Sequence, residues 1–314
     1  MLVSRRMTEG FPFPIPTGWF QVGYSDELSP GAVRPLHYFG KDLVLFRTQS
    51  GEASLLDAFC PHLGAHLGHG GLVEGELIRC PFHAWEFDTQ GGCRKVPYAR
   101  RVPAKARIRP WPLVERNQML WAWHDASGRP PAWEVPVVQE IADPDWGPLE
   151  RHSWRIRSTP QEIGENGVDR AHFRYVHGTA TVPESELRLE GHIRHAVQHV
   201  TMNTPRGQVQ GEIRVEAHGM GCTLTRFTGV CETVNLLSHT PIDQDTVETR
   251  FSFVQPKAEQ TGRGVGAAVV AEVVRQMNQD IPIWEHKCYL PKPLLCDGDG
   301  PIAQYRRWAS QFYG

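Results

Sequence analysis

The chain has 314 residues, 40% hydrophobic and 22% charged, with a formal net charge of -2 at pH 7. That length suits two domains better than one core, and a near-balanced charge without a basic block excludes a nucleic-acid surface. No run of about 18 apolar residues occurs, which excludes a transmembrane helix, and Arg5-Arg6 lacks the apolar stretch that a twin-arginine export signal needs.

After an N-terminal arm, 1–16, short apolar runs alternate with Gly, Pro and Asp up to about residue 124; examples are 42–48, 53–59, 76–80 and 119–124. This pattern predicts a small all-β module spanning 17–126. The proline-rich stretch 127–147 reads as a linker. In 148–314 a helix is expected over about 161–176, then alternating strands such as 211–218, 222–230 and 246–254. A final helix is expected over about 265–284, kinked at Pro282. Strands in succession with few helices predict an antiparallel sheet with helices packed against it, an α+β domain.

The stretch FCPHLGAHLGHGGLVEGELIRCPFHAWEFD, 59–88, contains Cys-Pro twice, as Cys60-Pro-His62 and Cys80-Pro-Phe-His83. A zinc finger usually pairs Cys with Cys and His with His in sequence. Here each loop supplies one thiolate and one imidazole, which suits a [2Fe–2S] cluster with two thiolates on one iron and two imidazoles on the other. Zinc and coincidence are the alternatives on spacing alone. Each proline stiffens its loop. His66 and His69 read as solvated or structural, and Cys93, Cys222, Cys231, Cys288 and Cys296 as small packing residues. Seven cysteines without a secretion signal point to reduced thiols or metal ligands, and to the cytoplasm.

A second candidate is QEIGENGVDRAHFRYVHG, 161–178. At helical spacing Glu162, Glu165, Asp169 and His172 share a face, which by itself suits a solvated stripe. His177, however, precedes Gly178, a helix C-cap that can turn it back toward His172. Two histidines and a carboxylate form the donor set of a mononuclear Fe(II) site with open positions for O2. The final helix offers Glu272, Asp280 and Glu285. Asp280 shares the face of Val273, Met277, Ile281 and Trp284, and a buried carboxylate is costly unless paired or ligating. His172, His177 and Asp280 are therefore the expected ligands. Asp169, one turn before His172, is expected to accept a hydrogen bond from that ring through its carboxylate. Gly262-Arg-Gly264-Val-Gly266-Ala267 imitates a dinucleotide-binding turn, but the flanking strands that NAD binding needs are missing.

These motifs carry a resemblance. Cys60-x-His62-x17-Cys80-x2-His83, with Phe82, Trp85 and Phe87, resembles the Rieske signature, and Asp169-x2-His172-x4-His177 resembles the iron motif of Rieske non-haem iron oxygenases. NQDIPIWEHKCYLPKP, CDGDGPIAQYRRWASQFY and the N-terminal PTGWFQVGYSDEL are similar to the ketosteroid 9α-hydroxylase and cholesterol 7-desaturase subgroup, where Asp280 matches the third iron ligand. The resemblance implies an N-terminal all-β Rieske domain and a C-terminal helix-grip catalytic domain. It implies a [2Fe–2S] cluster on Cys60, His62, Cys80 and His83, Fe(II) on His172, His177 and Asp280, and O2 as co-substrate. Electrons would come from a separate ferredoxin or flavin-dependent ferredoxin reductase, and the substrate, a steroid or sterol, would be hydroxylated, demethylated or desaturated. The family also implies a homotrimer in which Asp169 links His172 to His83 of the partner subunit. Other readings are an oxygenase for a non-steroid aromatic or natural product, an electron carrier, and a non-catalytic binder of hydrophobic ligands.

Overall fold

The computed structural model describes residues 11–179, 182, 185–204, 207–229, 231–260 and 262–314. They form two compact units: Phe20–Glu134, and Val135–Gly314 together with the segment ending at Trp19.

The first unit is built from short strands. Val33–Tyr38, Lys41–Arg47, Ala53–Asp57 and Pro110–Trp111 make one sheet, and Leu72–Glu74, Leu77–Arg79, Glu86–Phe87 and Cys93–Lys95 another. Met119–His124 lies between Gly18–Tyr24 and Leu113–Arg116 in a third. The hairpin at Phe39-Gly40 has positive φ at both central residues (58° and 65°), the twist a two-residue connection favours. Phe39 accepts that conformation while stacked on Trp111, ring centroids 5.2 Å apart. The core of Val44, Phe46, Leu56, Leu67, Ile78 and Phe87 continues directly into Cys60 and Cys80.

The second unit is a seven-stranded antiparallel sheet in the order Glu150–Ile156, Val247–Val254, Thr233–Pro241, Cys222–Thr228, Gly207–His218, Ile193–Thr204, Ser185–Glu190. Helices Pro160–Asn166, Arg170–Tyr175, Val265–His286 and Ile302–Ala309 accompany it. The long helix buries Val270, Met277 and Trp284 against Ile156, Phe251 and Phe253 of the sheet, and runs on through Pro282. Phe11 and Phe13 meet Tyr289 and Tyr313 edge-on, tilted or stacked at 4.9–6.3 Å, and the Thr17 N–H donates to the Phe312 carbonyl.

Two expectations change. The single helix over 161–176 is two helices, because the chain leaves helical register after Gly167 and Asp169 caps the second one. Cys288 and Cys296 are exposed, not packed, while Cys222 and Cys231 are buried. Among the described residues no helix is long and apolar enough to cross a membrane.

Candidate metal centres

The two Cys-Pro loops have the same backbone wiring. The Cys60 N–H donates to Ala65 O at 2.8 Å and the Cys60 carbonyl accepts from Gly64 N–H at 2.9 Å; Cys80 does the same with Trp85 O and Ala84 N–H, at 2.8 and 3.1 Å. Each loop closes on a left-handed residue, Gly64 at φ 77° and Ala84 at φ 57°. This wiring sends both thiols inward, with Cys60 and Cys80 2% and 3% exposed. Both imidazoles stay half-buried at the surface, 4.6 Å apart between ring centroids. The His62 ring stacks on Trp85 at 4.7 Å, and the Trp85 indole N–H donates to Tyr98 Oη at 2.8 Å.

The donors fit a histidine-ligated iron–sulfur cluster. His62 Nδ1 is buried without a hydrogen-bond partner, a ligand atom left over by every protein contact. Burial, with Cys80 adding to it, pushes the Cys60 thiol up to about 11; a thiolate becomes stable there when metal supplies positive charge. His66 has a local role, its Nδ1 accepting from the Gly68 N–H at 3.0 Å.

In the second unit the ligand atoms of His172, His177 and Asp280 all lie within 4.8 Å of one another. His177 Nε2 is 3.4 Å from Asp280 Oδ2, and the two imidazole rings stand nearly perpendicular at 5.0 Å. The remaining ring nitrogens are held from behind: His172 Nδ1 lies 2.5 Å from the Asp169 backbone carbonyl, and His177 Nδ1 3.0 Å from Gln279 Oε1. Such contacts fix which nitrogen faces a metal. Burial lowers the His172 pKa. Burial also pulls His177 down, but hydrogen bonds to Asp280 and Gln279 outweigh it and the net shift is upward. Two imidazoles and a carboxylate suit a facial-triad metal with free positions.

Asp169 stands differently from the expected arrangement. Its carboxylate accepts from the Ala171 and His172 backbone N–H groups as the helix N-cap, and its backbone carbonyl meets the His172 ring. An aspartate just ahead of a helix is a favoured cap, so the side chain goes to the orphan amides. The other carboxylates once eligible are engaged elsewhere: Glu272 with Arg275, Glu285 with the Arg157 backbone N–H, Glu162 with Lys287 and Glu165 with Arg306. Gln279 was not singled out from the sequence. Its signal was available: it adjoins Asp280 on a helix already aimed at the site.

The triad opens on a cavity lined largely by apolar side chains, among them Ile163, Ile213, Val215, Leu237, Phe251 and Met277. The sheet supplies its floor in transverse rows; one reads Ala217, Thr223, Leu237, Phe251 across four strands. The long helix covers the opposite side with Val273, Met277, Asp280 and Trp284. Of the dinucleotide-like glycines, Gly266 has a packing role, since a Cβ there would come within 2.7 Å of the Glu259 carbonyl, while Gly262 and Gly264 serve left-handed backbone at φ 71° and 87°.

Residues 18–107 match the Rieske [2Fe-2S] domain, and residues 122–313 match the 3-Ketosteroid 9alpha-hydroxylase C-terminal domain. Cholesterol 7-desaturase nvd 1 of Ciona intestinalis is 30% identical, covering 99% of this chain and 72% of that protein. A 3-ketosteroid-9-alpha-monooxygenase oxygenase component of Rhodococcus rhodochrous is 31% identical, over 94% and 79%. In structure, the Pseudomonas putida CBB5 NdmA QL mutant with theobromine superposes with a TM-score of 0.76 at 21% identity, over 93% and 89% of the two chains. Dicamba monooxygenase bound to 3,6 dichlorosalicylic acid gives 0.76 at 19%, over 96% and 98%. Sequence family, fold and donor sets agree: this chain belongs to the Rieske non-haem iron monooxygenases, in the branch defined by the 3-ketosteroid 9α-hydroxylase C-terminal domain.

Proposed function

We propose that the chain is the terminal oxygenase of a multi-component system, with Cys60, His62, Cys80 and His83 holding the [2Fe–2S] cluster and His172, His177 and Asp280 the mononuclear iron. When bound, the cluster relays electrons and the iron, with its free positions, activates O2. The protein's own contribution is positional. Asp169 and Gln279 hold the two imidazoles by their far nitrogens, and the buried Asp280 carboxylate brings negative charge to the focus. The apolar walls exclude water and hold a rigid hydrophobe with one carbon presented to the metal.

The observation that carries this reading is the triad opening on a largely apolar cavity. The substrate we assign is a steroid or sterol-like skeleton, on the strength of that lining and of what the relatives are named for. Electrons come from a separate ferredoxin or flavin-dependent reductase, a reading supported by a relative that is named as an oxygenase component. Five further cysteines outside the cluster set, none in a disulfide, support a reducing compartment, the cytoplasm. We assign a homotrimer, with Asp169 on the electron path between the His172 metal of one chain and the cluster of the next.

Purified, iron-loaded protein incubated with a surrogate reductase, NADH and a panel of 3-ketosteroids, sterols and steroid acids tests the function. At least one steroid should gain an oxygen or lose two hydrogens, as read by mass spectrometry. Oxidation of aromatic acids with every steroid unchanged would overturn the substrate assignment. Size-exclusion chromatography with light scattering tests the trimer, and a monomeric mass refutes it.

A further inference from the structure

One group in the cavity wall takes no part in the proposed chemistry. Arg194 is 4% exposed and lines the cavity. On its strand the buried, inward face reads Arg194, Ala196, Gln198, while Ile193, His195 and Val197 are half-buried. Its cross-strand neighbour Ala217 and the next residue in that row, Thr223, are small, which leaves room in front of the guanidinium. Gly167 leaves room behind: a Cβ there would stand 3.4 Å from Arg194 Nη2.

The guanidinium lacks a counterpart among the described residues. Its Nε and Nη1 are buried with no hydrogen-bond partner, and the Tyr305 ring lies 5.8 Å from the guanidinium carbon. The carboxylates of the neighbouring helix pair with other cations, Glu162 through Oε2 with Lys287 at 2.9 Å and Glu165 with Arg306 at 2.6 Å. His239, also in the cavity wall, is held neutral, since burial and then the Arg194 charge bring its pKa down to about 4. This part of the wall thus presents one buried positive charge. An arginine does not discharge by losing its proton, and a buried unpaired charge is strongly unfavourable. A neutral carbonyl would satisfy one donor and leave the charge; a carboxylate satisfies both.

We infer that Arg194 is a substrate-recognition residue that binds a carboxylate carried on an apolar skeleton, so that the substrate class is a hydrophobic acid and not a neutral sterol. This rests on the reading of the cavity as the place where the substrate is oxidised. It goes further by naming the polar handle that sets the skeleton's direction.

Trp284 and Trp308 line the cavity, so tryptophan fluorescence of the purified protein reports binding without turnover. Two matched pairs are titrated at neutral pH: lithocholic acid with its methyl ester, and abietic acid with its methyl ester. At least one acid should bind about 100-fold more tightly than its ester. Arg194→Met should abolish that preference, and Arg194→Lys should keep a reduced one. Equal binding of acid and ester to the unaltered protein overturns the proposal, and this comparison requires no variant to fold. So does binding by none of the four, or an acid preference that persists in Arg194→Met. A preference confined to the abietic pair removes the steroid assignment and upholds Arg194. Tight binding of methyl lithocholate without any acid preference does the reverse.

Discussion

The two donor sets place metal ligands by opposite means. Between residues 60 and 83, four donors come from a pair of like-wired loops, aimed by hydrogen bonds within each loop. The second set draws on positions 172, 177 and 280; Asp169 holds the His172 ring locally, but the His177 ring is oriented by a group met only in the folded unit, Gln279 standing 102 residues away. In the first set the local chain decides where a ligand points. In the second, the rotation of one long helix decides it: Val270, Met277 and Trp284 pack on the sheet, and Asp280 follows them inward.

If that contrast holds, the sets should fail separately. The largest effect belongs to Cys60→Ser, which should abolish the visible absorbance and the electron paramagnetic resonance of a histidine-ligated cluster, with product falling to background. The second site should still bind added Fe(II); joint loss would show that the sets are not independent. Asp280→Ala should lower iron content by about one atom per chain and end turnover while the cluster spectrum stays. Unchanged iron would move the third ligand elsewhere.

Smaller effects sharpen the comparison. Gln279→Leu removes the acceptor behind His177 and should weaken the mononuclear site's metal affinity about 10–100-fold, measured by competition with a chelator. The loops predict a matched pair of opposite sign. A Cβ on Gly64 meets nothing within 4 Å, so Gly64→Ala should destabilise only through its left-handed backbone, by about 1 kcal/mol in urea denaturation. Ala84→Gly, at the equivalent turn, should shift stability the other way by about 0.5 kcal/mol. Equal signs would mean that the loops are alike in hydrogen bonding and not in strain.

The same contrast explains how much could be read from the sequence. The Cys-Pro loops were legible because both donors of each lie within four residues, and the strands around them because their apolar runs are short and sharply bounded. That Asp280 turns inward was legible through the apolar period of its helix. The break between the helices ending at Asn166 and starting at Arg170 was missed. A polar face continues across it, and only the capping choice of Asp169 interrupts the register. Arg194 was hidden by the opposite problem. In IRHAVQHV, 193–200, alternation invites Ile193 and Val197 to face inward, yet the sheet buries Arg194, Ala196 and Gln198. A strand's period is plain in sequence, but the choice of face depends on what the neighbouring strands enclose.

The aromatic clasp of Phe11 and Phe13 on Tyr289 and Tyr313 has a consequence for biosynthesis. The ribosome delivers one side of that clasp long before the other. Phe20–Glu134, continuous in sequence, emerges whole and is free to fold while the sheet of the other unit is still being translated. The segment ahead of it must wait for Tyr289 and Tyr313, so Phe11 leaves the exit tunnel well before that unit and is buried only after it.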